Sequence, residues 1–104
     1  MDPTPHLEWL ADGDRLSVPG WRGAGIRTGV KESGAPDLAL FQADSPRPAA
    51  AVFTRNELPA ACVLLGREAM ARRPELRTLC VNSGNANAMT GAQGRADAER
   101  IVGL

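Results

Sequence analysis

The run DLALFQA, residues 37–43, carries apolar side chains at both odd and even positions. Successive side chains of a strand point to opposite faces, so a strand of this composition has no face suited to water. It predicts an inner strand, covered above and below. Turn signals bound it on both sides: SGAP before it, and DSPRP after it, where Pro46 and Pro48 restrict the backbone. The chain around it is therefore read as sheet-centred.

Two further strands are expected beside this one. GIRTGVK, residues 25–31, alternates, with Ile26, Thr28 and Val30 on one face and Arg27, Gly29 and Lys31 on the other. AAAVFT, residues 49–54, follows the second turn. Short turns between consecutive strands favour antiparallel neighbours, which predicts a β-meander over residues 25–55.

The segment PAACVLLGREAMARR, residues 59–73, admits two readings. In the preferred one Val63, Leu64 and Leu65 end a short strand, and a helix runs from Gly66 to Arg73. In the other the whole segment is helical. Glu68 and Arg72 stand at i,i+4 in the favourable order, and Pro74 helps to end the helix. RTLCV, residues 77–81, reads as one more strand. Thr90 and Gln93 then make a T-x-x-Q capping-box pattern at the start of a final helix, with Ala98, Ile101 and Val102 on its apolar side. The chain stops on Ile-Val-Gly-Leu, which reads as an interrupted helix and a piece of something longer.

Composition excludes several classes of function. Twelve acidic and twelve basic side chains cancel. That argues against a nucleic-acid binder, which needs basic excess, and against polybasic membrane attachment. No apolar run approaches the ~20 residues of a membrane span. The acidic N-terminus, MDPTPHLEWLADGD, lacks the pattern of a signal peptide or a mitochondrial presequence, so the cytoplasm is the expected compartment. Residues 1–20, with three prolines and only Leu7, Trp9 and Leu10 as apolar anchors, read as an irregular arm. Leu, Ile, Val and Phe make about a fifth of the 104 residues, and alanine supplies much of the rest of the apolar count, so the core should be thin.

Few residues offer chemistry. Cys62 and Cys80 form no CxxC and no cluster with histidine; both are expected to be reduced, small core residues, with no metal site. Gly23, Gly25 and Gly29 miss the dinucleotide-loop spacing by one residue and run into a strand. His6, the one histidine, has no evident nucleophile beside it. Asp37, Asp44 and Glu57 sit at strand ends and are read as solvated or locally capping. The local candidate is VNSGNANAMTGAQG, residues 81–94, with three asparagines and three glycines between a strand and a helix. Helix-start amides can receive an anion or an oxyanion, Gly91 and Gly94 permit close approach, and Asn82, Asn85 and Asn87 offer donors and acceptors. The same composition also makes a purely structural, hydrogen-bonded turn, since Asn tolerates left-handed geometry.

GAGIRTGVKESGAPDLALFQAD, then AAAVFTRN, then VNSGNANAMTGAQG with ADAER, resembles the N-terminal part of the ornithine acetyltransferase (glutamate N-acetyltransferase) family of arginine biosynthesis. The resemblance runs from about Trp21 to Leu104, with its blocks in family order. Met89 stands where many members have cysteine, and Cys62 where proline is common. The resemblance implies an α+β class: an antiparallel β-meander followed by β-α elements, part of a larger layered, self-processing acyltransferase-like fold. Residues 21–104 would be the first portion of that domain, incomplete at the C-terminus.

It further implies transfer of acetyl from N-acetylornithine to glutamate, and in some members from acetyl-CoA, through an acetyl-threonine on a second subunit, with no cofactor. The nucleophile's ATM-type context and the STG oxyanion motif have no counterpart here; Thr90-Gly91 belongs to another block. No catalytic or substrate-binding residue is therefore assigned. Asn82, Ser83, Gly84, Asn85, Asn87, Thr90 and Gly91 are expected to brace a neighbouring site. The partners implied are the rest of the first subunit and the threonine-bearing second one, and the chain alone is expected to be inactive. A non-catalytic interaction module that completes a separately encoded remainder is the alternative, and a self-processing peptidase a weaker one.

Overall fold

A computed structural model of the chain describes residues 18–103. The expected arm, with Leu7, Trp9, Leu10 and His6, lies almost wholly outside the described residues. The order is β1 (Trp21–Ile26), β2 (Leu38–Pro48), α1 (Ala61–Arg72), β3 (Glu75–Asn82) and α2 (Gly91–Gly103). One antiparallel sheet runs β1-β2-β3. The α+β class and the antiparallel meander are as expected, but the third member is β3, and α1 lies between it and β2 in sequence.

Several boundaries differ from the sequence reading. β1 ends at Ile26, opposite Leu38, so only Ile26 of the expected Ile26–Thr28–Val30 face belongs to a strand. Gly29 has φ +89, which strand geometry does not accommodate, and residues 27–36 instead form a loop folded onto Asp37. β2 continues through DSPRP. It pairs with β1 only as far as Ala43, so Pro46 and Pro48 fall where the β1 side is free and no amide is demanded there. Its ladder with β3 breaks between Gln42 and Arg47 and resumes at Arg47–Leu76 and Pro48–Glu75.

The expected strand at 49–54 is not one. Ala49 N–H donates to Pro74 O at 2.9 Å, and the run then leads to α1 as an unpaired connection. Three alanines bury too little area to hold a strand in place. The segment from Ala61 to Arg72 is wholly helical, the less favoured of its two readings. Ala, Leu, Arg, Glu and Met are all strong helix formers, and Gly66 in the middle does not start the helix. It faces the Phe53 ring, whose Cε1 would stand 3.0 Å from a Cβ at that position. Arg73 leaves helical geometry at φ −154, just before Pro74.

The core is small. Among the described residues the buried apolar side chains are Ala43, Ala61 and Ala98, and the buried polar one is Asp37, 4% exposed. Contacts between elements lie mainly within β1–β2, β2–β3 and α1–α2, so the helices scarcely touch the sheet. Paired residues share a face. Ile26, Leu38, Leu40 and Cys80 lie on one side; Trp21, Ala39, Phe41, Leu79 and Val81 lie on the other. Leu40 on the first side and Leu79 on the second are 46% and 45% exposed. Both cysteines are free, as expected, but both are exposed rather than in the core. Cys62 sits on the open side of the first turn of α1, and Cys80 on an edge strand with little packed over it.

Candidate functional site

The loop between β3 and α2, residues 83–90, is a mounted structure with an anchor at each end. At its first end the Ser83 N–H donates to Asp37 O at 2.9 Å. Gly84 follows with φ +92, lying against Val30 and Lys31. The Asn82 side-chain amide donates to Asn85 O at 3.0 Å and closes the turn. Asn85 thus contributes its backbone carbonyl there, and its side chain is exposed.

At the second end Asn87 does three jobs. Its side-chain Nδ2 donates to Gly94 O at 2.7 Å. Its Oδ1 accepts from the Thr90 hydroxyl. Its backbone O accepts from the Ala61 N–H at 3.3 Å, satisfying one of the orphan amides that begin α1. Asn87 therefore ties the starts of both helices together. Gly94 is buried in this contact, and a Cβ there would overlap Thr90 Oγ1 and Asn87 Oδ1. The expected reciprocal capping box does not form: Gln93 Nε2 reaches down the helix to Asp97 Oδ1 at 2.9 Å, and Thr90 turns to Asn87.

Met89 and Gly91 both take positive φ, +56 and +61. Left-handed geometry at a side chain as large as methionine is uncommon and marks a backbone held by its surroundings. Met89 is exposed and borders an open cavity of about 590 Å³ with Leu58, Pro59, Leu64, Thr90 and Ala92. The turn after the FTRN block and the AMTG block, distant in sequence, thus line one depression. Asn56 shapes that turn by accepting from Leu58 N–H at 2.9 Å, and Arg67, whose guanidinium lies 5.9 Å from the Phe53 ring centroid, donates to Thr54 O.

α1 and α2 are joined by charge. Arg95 forks onto Glu68, Nη1 to Oε1 at 3.0 Å and Nη2 to Oε2 at 2.8 Å, while its Nε reaches Glu99 Oε1 at 2.8 Å. These hydrogen bonds, first those with Arg95, hold the Glu68 carboxyl below its ordinary range, and Arg95 is raised above its own. Glu68 thus pairs across the helices rather than with Arg72 as the spacing suggested.

Asp37 is the residue that sequence reasoning undervalued. Its Oδ1 accepts from Thr28 N–H and from the Thr28 hydroxyl, both at 2.7 Å. Its Oδ2 accepts from Val30 N–H at 2.8 Å and Lys31 N–H at 3.3 Å. The Thr28 hydroxyl, then these amides, pull its carboxyl down to about 2 against the opposing effect of burial. The available signal was an acidic residue entering an apolar strand just after a glycine-bearing loop. No group of three or more His, Cys, Asp or Glu able to hold a metal occurs among the described residues.

The loop so built is the block that carried the family resemblance, and comparison with known proteins agrees with it. A model of the ArgJ family matches residues 22–104. The chain is 46% identical over 98 residues to the arginine biosynthesis bifunctional protein ArgJ 1 of Nostoc sp. (strain PCC 7120), a match covering 93% of this chain and 24% of that protein. It is 43% identical over 88 residues to ArgJ of Gloeobacter violaceus, covering 85% of this chain and 21% of the other.

Among solved structures, ornithine acetyltransferase of Mycobacterium tuberculosis complexed with ornithine matches at TM-score 0.72 and 46% identity, over 79% of this chain and 42% of that one. ArgJ of Bacillus halodurans matches at TM-score 0.76 and 38% identity, over 80% and 43%. The chain thus spans about a fifth to a quarter of these curated relatives. Shared backbone, sequence identity above 40% to these curated relatives and a family match over residues 22–104 establish that the chain belongs to the ArgJ family.

Proposed function

We propose that residues 21–104 are the N-terminal portion of an acetyltransferase of arginine biosynthesis, moving acetyl from N-acetylornithine to glutamate. The observation that carries this is the contrast in coverage: 93% of this chain, but 24% of the relative. In the reaction proposed, a threonine of the second subunit attacks the acetyl carbonyl, ornithine leaves, and glutamate's amino group takes the acetyl. Groups that stabilise the tetrahedral oxyanion come from the remainder of the enzyme. This chain supplies scaffold, and its loop Asn82–Gly91 braces the neighbouring site. Acetyl-CoA is a further donor in this reading, and the cytoplasm is the compartment. No helix of the described residues is long and apolar enough to cross a membrane.

The 104-residue chain is expected to have no activity alone. Purified chain incubated with N-acetylornithine and glutamate should release no ornithine above a buffer blank. Turnover that survives further purification would show that the chain holds its own nucleophile and would overturn the scaffold assignment.

A further inference from the structure

We propose that Asp37 is a positioning residue that sets the backbone of the Asn82–Asn87 loop through the loop formed by residues 27–36. One residue joins three segments. Its N–H donates to Ile26 O at 3.0 Å, at the end of β1. Its carboxylate gathers Thr28, Val30 and Lys31. Its carbonyl receives Ser83 N–H at 2.9 Å, where β3 gives way to the loop.

The gathered residues form a shelf under that loop. A Cβ at Gly84 would stand 2.9 Å from Lys31 Cγ and 3.3 Å from Val30 Cγ1, so the backbone at Gly84 rests on the segment the carboxylate holds. Lys31 is fixed a second time, its Nζ donating to Pro36 O at 3.2 Å. The far end of the loop is fastened independently by Asn87. Removing the carboxylate loosens the shelf under Gly84, while the main-chain bond from Ser83 N–H to Asp37 O and the Asn87 mount stay. A buried carboxylate with four donors is also unlike a solvated strand-end acid, which would need none of them. Resting on the acetyltransferase reading, the role of this mount is to hold the loop and its exposed Asn85 side chain beside the transfer site in one arrangement.

Amide hydrogen exchange on the full chain tests the mount without activity. Thr28→Val removes one donor and keeps the backbone amide; Thr28→Ser keeps the hydroxyl. Thr28→Val and Asp37→Asn should speed exchange of residues 83–87 by about tenfold, the scale of a lost bond to a charged group, while α1 and α2 keep their protection. Thr28→Ser should match the parent. Acceleration confined to residues 27–36, or spread evenly over the chain, overturns the proposal.

A second readout uses the chain assembled with the remaining portion of the Nostoc relative. There Thr28→Val should lower kcat several-fold with KM little changed, and Thr28→Ser should restore it. Unchanged kcat with accelerated loop exchange removes the reaction role. An assembly inactive with the parent chain counts against the acetyltransferase reading, and the exchange result still decides the mount.

Discussion

At Asp37 the sequence offers a strand-end acid and the fold makes a buried anchor. The difference follows from Gly29 at φ +89, which turns the chain so that three amides face one carboxylate. Its charged state has a pH consequence. In the unfolded chain an aspartate takes up its proton near pH 4, whereas here the carboxyl stays charged down to about 2. Its contribution to stability is therefore fully present above about pH 4 and is lost as pH falls toward 2. Asp37→Asn should melt below the parent at neutral pH, with the gap closing between about pH 4 and 2. A gap that stays constant through that window contradicts the assignment.

Glycines give a second residue-scale contrast. Gly34, at φ +70, has open space where a Cβ would go, so Gly34→Ala should cost only backbone strain, roughly 1–2 kcal/mol. At Gly94 a Cβ would collide with Thr90 and Asn87, and Gly94→Ala should cost roughly 1–3 kcal/mol by overpacking. It should also loosen the start of both helices, which Gly34→Ala should not. Urea unfolding combined with helix-resolved amide exchange separates the two.

Among the elements, β3 and α2 were legible because their signals are local: a short β-rich run, and a helix opened by Thr90-Gly91. The end of β1 was not, because Thr28 and Val30 alternate correctly yet are claimed by Asp37, nine and seven residues away, just before β2 begins. α1 was misjudged because Gly66 looked like a boundary, and only the Phe53 ring, from a distant segment, explains a glycine in mid-helix. The asparagine-rich loop was legible as a polar strand-to-helix turn, but the partners of Asn87 on two helices were not.

The charge pairing of α1 with α2 yields a prediction at this scale. Arg95 and Glu68 are 40% and 50% exposed in their side chains, so the pairing should be weak and screened by salt. Arg95→Ala should reduce α2 protection at about 0.1 M salt. Raising salt to about 1 M, where the Debye length falls from about 10 to about 3 Å, should reduce it in the parent and have little further effect in the variant. Equal salt sensitivity in both would place the helix contact elsewhere.

At the scale of the molecule, the main physical fact is a sheet with apolar side chains on both faces and, among the described residues, three alanines as the buried apolar side chains. DLALFQA foretold a doubly covered strand, and among the described residues the cover is missing. A sheet must bury at least one face against another layer, and the family members of known structure have more than half their chains outside the matched part. The isolated chain is accordingly expected to bind an apolar dye or self-associate; a sharp cooperative melt of a monomer that binds no dye would contradict this.

The most direct test of the account adds this chain to the remaining portion of the Nostoc relative and measures ornithine release from N-acetylornithine in the presence of glutamate. The account predicts turnover in the mixture and none from either part alone. A stable complex without turnover, or no complex at all, would contradict it.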